Sequence, residues 1–257
     1  MSADSTPEPE PRPTTGPVRL EQGDLRCLAQ ACARDPLYDD RRLVLRRKLA
    51  ALARRFVAGA GAGLETRTSL HRPASFNGMC VRRMWAYFCR GKREKQRLRA
   101  VLGRDLARDL DSAYRNAYLC LALESEAVEV SLRIHADAWY DGQNLLRRVQ
   151  AEGARTLLGL LNGLDGFTLR LADWKGEWRC GDLAPERLDD YLRHWVPGEL
   201  ALSVERRYPA PESAPAARAA LFVPDVPDLL LEQLGRLLPL YRYLAWSQES
   251  DFLFPSG

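Results

Sequence analysis

The most constraining feature of this chain is the alternation over residues 127–135. Val128, Val130, Leu132 and Ile134 share one parity, and Glu129, Ser131, Arg133 and His135 share the other. Successive side chains of a strand point to opposite faces, so this spacing predicts a strand with one apolar and one polar face. A sheet of such strands must be covered on one side and can leave the other to water, which is the habit of antiparallel sheets. The apolar run from Tyr118 to Glu124, separated by Ser125-Glu126, supplies the other half of an expected antiparallel hairpin.

The rest of the C-terminal half fits the same frame. Phe167 to Leu171 and Leu200 to Tyr208 read as further strands, and Trp174-Lys175-Gly176-Glu177-Trp178 reads as a second hairpin turn. Helical periodicity falls over 142–162, 185–195 and 226–246, the second opening on Pro185, which suits a first helical turn. The last presents Leu230, Leu234, Leu237, Leu238 and Tyr241 on one face. The expected fold class is α+β: a mostly antiparallel or mixed sheet of about 4–6 strands with helices on one face, preceded by a helical basic subdomain.

That subdomain is read from the first half of the chain. Helices are expected around Leu20 to Ala33, over 40–58, over 79–90 and over 93–114, with Gly59–Gly63 a flexible connector and 64–78 a loop. Residues 1–17 hold five prolines and almost no apolar side chain, so they are expected to be a disordered tail. The expected organisation is therefore a Pro-rich tail (1–17), a helical basic region (18–116) and an α+β core (117–257), the last two as separate units or one continuous domain.

Charge is segregated along this plan. The net charge is only +4, yet residues 41–120 contain 20 Lys+Arg against 5 Asp+Glu. Within that stretch Arg82, Arg83, Arg90, Lys92, Arg93, Lys95, Arg97 and Arg99 are interleaved with Trp85 and Tyr87. Arginine beside exposed aromatics neutralises phosphates and stacks unpaired bases, the chemistry of a nucleic-acid surface. These residues predict a non-catalytic accessory protein that contacts DNA or RNA through a basic helical face within a larger assembly. The competing expectation is that the arginines form a solvated face or neutralise the acidic remainder of the chain. Docking on an acidic protein, or on a second copy, is the scaffold alternative.

Catalytic signals are sparse. The Gly-Ala run at 59–63 lacks the Gly-Lys-Ser/Thr of a phosphate loop, no G-x-S-x-G elbow occurs, and His71, His135 and His194 lack metal-ligand spacing. The stretch from His135 to Asp141 gathers an imidazole, two carboxylates and two aromatics, with helix capping as its alternative role. Asp173-Trp174-Lys175 at a strand end resembles the D-x-K half of the PD-(D/E)xK nucleases, with Asp137 as a second carboxylate. That resemblance implies a metal-dependent nuclease using Asp137, Asp173 and Lys175. The chain departs from the family by placing a helix of about 20 residues between the two half-motifs.

No cofactor is expected. Cys27, Cys32, Cys80, Cys89, Cys120 and Cys180 show no C-x-x-C pair, and the N-terminal residues lack the basic start and apolar core of a secretory signal. No apolar stretch approaches the roughly 18 residues of a membrane span. The expectation is a reduced, cytoplasmic protein without a membrane segment.

Overall fold

The computed structural model describes residues 18–171, 176–210 and 221–254. The Pro-rich tail over 1–17 and the tripeptide Asp173-Trp174-Lys175 lie outside the described residues. The strands are β1 (Leu64–Thr68), β2 (Arg83–Arg90), β3 (Ala117–Glu124), β4 (Ala127–Ile134), β5 (Thr168–Leu171), β6 (Glu177–Arg179) and β7 (Leu202–Pro209). They form one antiparallel sheet in the order β1-β2-β3-β4-β7-β5-β6. The helices are α1 (Gln22–Arg26), α2 (Asp39–Ala58), α3 (Lys92–Leu106), α4 (Trp139–Glu152), α5 (Arg155–Asn162), α6 (Pro185–His194) and α7 (Val226–Leu244).

The alternation in β4 sets the two faces of the sheet. Val128, Val130 and Leu132 are fully buried, and their parity continues through Met84, Ala86 and Phe88 of β2 and Leu119, Leu121 and Leu123 of β3. On the far side of β4 it continues through Leu202 and Val204 of β7 and Leu169 and Leu171 of β5. Leu45, Leu49, Leu52 and Phe56 of α2, with Leu230, Leu234 and Leu237 of α7, join the same core. Each such side chain contributes roughly 1.5–3 kcal/mol on burial, so this face is where the sheet is held. The fold is α+β as expected, with seven strands among the described residues rather than about 4–6.

The first half of the chain differs from the helical expectation. Residues 83–90, expected within a helix, form strand β2, and 64–68, expected as loop, form strand β1. The helix expected over 93–114 is α3, kinked at Gly103 (φ 78°) and followed by a 3-10 turn at Ala113–Arg115. The single helix expected over 142–162 is split into α4 and α5 at Gly153, whose φ of 81° suits only glycine well.

A smaller apolar cluster lies beside the main core. Leu98 and Leu102 of α3 meet Leu110, Tyr140, Trp246 and Leu253 there. The aromatic-rich C-terminal segment thus closes the core rather than standing free. Beside it, Arg90 at the end of β2 forms a buried ion pair with Asp141 of α4. Asp141 also accepts hydrogen bonds from Ala117 N at 2.6 Å and Trp246 N at 2.7 Å. This one carboxylate ties together β2, β3, α4 and the segment after α7. Among the described residues, no helix is long and apolar enough to cross a membrane.

Candidate nucleic-acid interface

The polar face of the sheet carries arginines and glutamates on neighbouring strands. Arg83 donates to Glu124 at 2.7 Å and to Glu129 at 2.9 Å. Arg133 donates to Glu129 at 2.7 Å and Glu205 at 2.9 Å, and Arg207 reaches Glu124 at 2.6 Å and Glu129 at 3.1 Å. Burial alone would raise the Glu129 carboxyl, but Arg133 and Arg83 outweigh it and bring the pKa down to about 2. The central part of this face is therefore electrically self-satisfied and offers little net attraction to a polyanion.

The same is true of several cations that the sequence marks for phosphate contact. Arg90 is buried against Asp141, and Lys95 is buried with its Nζ 2.8 Å from Glu65. Arg97 is paired with Glu94 at 2.7 Å, and Arg99 lies on the surface 3.2 Å from Asp111. Elsewhere in the basic third, Arg41 and Lys48 are bound to Asp24, and Arg55 to Asp228. Among the described residues, Arg41, Arg42, Lys48, Arg55, Arg83, Arg90 and Arg97 of residues 41–120 reach acids outside that stretch, whereas Lys95 and Arg99 pair within it. The segregation visible along the chain is in part undone by folding.

Exposed basic residues remain at several places, Arg26, Arg54, Arg155 and Arg187 among them, and one group lies on α3 and at the β1–β2 end of the sheet. Leu98 and Leu102 turn inward, which leaves Lys92, Arg93, Arg99 and Arg104 on the solvent side of α3. Arg82, just before β2, is also exposed. Trp85 is half-buried on the polar face, with its ring 5.1 Å from that of Tyr87, and Tyr87 is buried. The Tyr87 hydroxyl donates to Asp111 O at 3.3 Å, and the Asp111 carboxylate holds Arg99. A continuous set of contacts therefore runs from Trp85 through Tyr87 and Asp111 to Arg99 of α3.

Two further residues belong to this region and were not marked by the sequence. Arg34 lines a cavity shared with Arg82, Arg83 and Trp85, and so does Phe76, which is 73% exposed. The signal for Phe76 was a large aromatic within the Pro-, Ser-, Asn- and Gly-rich segment 73–78. For Arg34 there was none, because its approach to β2 depends on Val81 N donating to Ala33 O at 2.8 Å.

The cluster from His135 to Asp141 separates in space. Asp137 is half-buried beside His135, whose Nδ1 accepts from Asp137 N at 3.1 Å, whereas Asp141 is enclosed in the Arg90 pair. Among the described residues, no group of three or more His, Cys, Asp or Glu side chains is placed to hold a metal ion. Comparison with protein-family models and with curated proteins found no match to this chain.

Proposed function

We propose that this protein is a non-catalytic nucleic-acid-contacting accessory protein that works within a larger assembly. Its phosphate contacts come from Lys92, Arg93, Arg99 and Arg104 of α3 together with Arg82, and not from the whole basic third. The observation that carries this reading is the exposed cationic face of α3, where Lys92, Arg93 and Arg104 are held in no ion pair among the described residues while Arg90 and Lys95 beside them are buried against carboxylates. The free state of all six cysteines fits a reducing compartment such as the cytoplasm.

The test is fluorescence anisotropy with labelled DNA and RNA oligonucleotides across a salt series. Binding should weaken linearly in log salt, with a slope set by the number of phosphates neutralised. Replacing Lys92, Arg93, Arg99 and Arg104 by Glu should abolish binding; unchanged affinity at low salt would overturn the proposal. A protein-scaffold reading is favoured by one observation, the exposed apolar side chains of Phe76 and Met79 on one loop. Binding of an acidic polypeptide in place of nucleic acid would move the conclusion there.

A further inference from the structure

The cavity at the β1–β2 end of the sheet has a volume of about 690 Å³ and is lined by Arg34, Phe76, Cys80, Arg82, Arg83 and Trp85 among others, with no Asp or Glu among its lining residues. That absence leaves the charge of the lining arginines uncompensated within the cavity, unlike the polar sheet face beside it, where Arg83, Arg133 and Arg207 sit against Glu124, Glu129 and Glu205. Arg83 is bound to Glu124 and Glu129, but neither Arg34 nor Arg82, both exposed, is held in an ion pair among the described residues. The cavity therefore combines uncompensated positive charge with two aromatic rings.

The backbone that carries each ring is fixed before any ligand arrives. Trp85 sits in strand β2, with its backbone N–H donating to Ser69 Oγ at 3.0 Å and its backbone carbonyl accepting from Ser69 N at 2.9 Å. Phe76 projects from a loop tied together by Asn77, whose Oδ1 accepts from Ala74 N at 2.8 Å and whose Nδ2 donates to Arg72 O at 3.0 Å. The loop closes through Met79 N donating to Ala74 O at 2.9 Å. Gly78 and Met79 are both left-handed, at φ 64° and 55°. The left-handed region costs a residue with a Cβ roughly 1–2 kcal/mol, and here the surrounding hydrogen bonds hold it. A loop already tied at its backbone has little further ordering to lose when Phe76 is covered, which favours binding.

We infer that this cavity is a base-stacking subsite, taking an unpaired nucleotide of a single-stranded nucleic acid with its base against Trp85 and Phe76 and its phosphate on Arg34 and Arg82. The inference rests on the nucleic-acid reading above and narrows it to single strands. A duplex keeps its base faces stacked inside and would leave both rings without a partner. An acidic peptide would satisfy the arginines but gives the rings no flat partner. A cavity of this size is within the range that holds small-molecule ligands.

The experiment compares three labelled 12-nucleotide probes: a thymidine homopolymer, the same backbone without bases, and a duplex. The homopolymer should bind at least about ten-fold tighter than the abasic strand or the duplex, the size of one stacked base. It should also quench tryptophan fluorescence, and Trp85→Leu should remove the quenching. Phe76→Ala, at an exposed loop position that does not endanger folding, should reduce homopolymer binding toward the abasic level without changing the salt slope. Equal binding of the homopolymer and the abasic strand would overturn the stacking site while leaving the phosphate-contacting reading standing. Failure of all three probes at low salt would remove that reading itself. Poly-glutamate displacing the homopolymer at equal charge concentration would also overturn the inference in favour of an acidic protein ligand.

Discussion

Arg83 reaches from β2 across the whole width of β3 to place its Nη2 2.9 Å from Glu129 on β4. Its Nη1 is held by Glu124, on the strand between. An arginine that the sequence marks for phosphate contact is thus a cross-strand tie, and a nucleic acid would have to compete with two carboxylates for it. Glu129 in turn serves Arg83, Arg133 and Arg207 from a side chain that is only 1% exposed. The polar face of the sheet is stabilised by this network much as the opposite face is stabilised by leucine.

The network makes stability acid-sensitive in a defined window. Burial raises the Glu129 carboxyl, but Arg133 and Arg83 outweigh it and lower the pKa from 4.5 to about 2. A carboxylate depressed in the folded state stabilises it fully above the unfolded pKa, and loses that contribution as pH falls through the folded one. The loss therefore runs from about pH 4.5 down to about pH 2. Glu129→Gln should cost about 3 kcal/mol at pH 7, the low end for a broken buried pair because Arg83 and Arg133 keep partial access to water. Urea unfolding at pH 7 and pH 3 checks this: the variant should lose less stability on acidification than the parent. An identical loss in both would refute the assignment.

Arg90 and Lys92 are two residues apart and should behave as opposites. Arg90→Met leaves the Asp141 carboxylate buried without its cation and should destabilise by roughly 3–5 kcal/mol. The affinity of the folded protein for nucleic acid should not change. Lys92→Ala and Arg93→Ala alter exposed side chains and should move stability by less than about 0.5 kcal/mol. Each should nevertheless reduce the slope of log affinity against log salt by roughly one for every phosphate that is no longer neutralised. Denaturant melts and salt titrations on the same variants separate the two behaviours.

These contrasts show where the sequence was legible and where it was not. β4, α2 and α6 lie within a residue of their expected bounds, because each has one apolar face and one polar face and the period can be counted. Strand β2 was hidden because both of its faces are apolar or aromatic: Met84, Ala86 and Phe88 enter the core, while Trp85, Tyr87 and Cys89 lie on the other side. With no polar residue on alternate positions, a period of two cannot be seen, and the flanking arginines suggested a basic helix. The candidate site was half legible for a related reason. Residue type marks Arg90, Lys92, Lys95 and Arg99 alike, and only the fold reveals which of them meet Asp141, Glu65 or Asp111.

Two glycines in helices should respond to alanine with opposite signs. Gly142 in α4 faces Pro197 and Trp195, and an added Cβ would lie 2.7 Å from Pro197 Cβ and 3.1 Å from Trp195 Cζ2. Trp195 is fixed by its Nε1 donating to Leu200 O at 2.9 Å, so the contact cannot relax easily. Overpacking of this kind costs about 1–3 kcal/mol and exceeds the gain of about 1 kcal/mol from better helix propensity. Gly142→Ala should therefore lower the melting temperature. At Gly235 in α7 an added Cβ meets nothing within 4 Å, so Gly235→Ala should raise it by the propensity gain alone.

The cysteines offer a direct readout of the cavity. Cys27, Cys32, Cys89, Cys120 and Cys180 are buried, whereas Cys80 is half-exposed and lines the cavity with Arg82 and Trp85. Burial raises the thiol pKa to about 11 at Cys27 and Cys120 and about 12 at Cys180, leaving little thiolate to react. A thiol reagent added to the native protein at pH 8 should therefore label one site quickly, and Cys80→Ser should abolish that fast phase. The thymidine homopolymer should slow the labelling of Cys80 at concentrations that saturate binding, because the seated nucleotide covers the cavity. The abasic strand at the same occupancy should protect it less. Fast labelling of Cys80 that is indifferent to saturating homopolymer would mean that the strand binds along α3 and leaves the cavity empty.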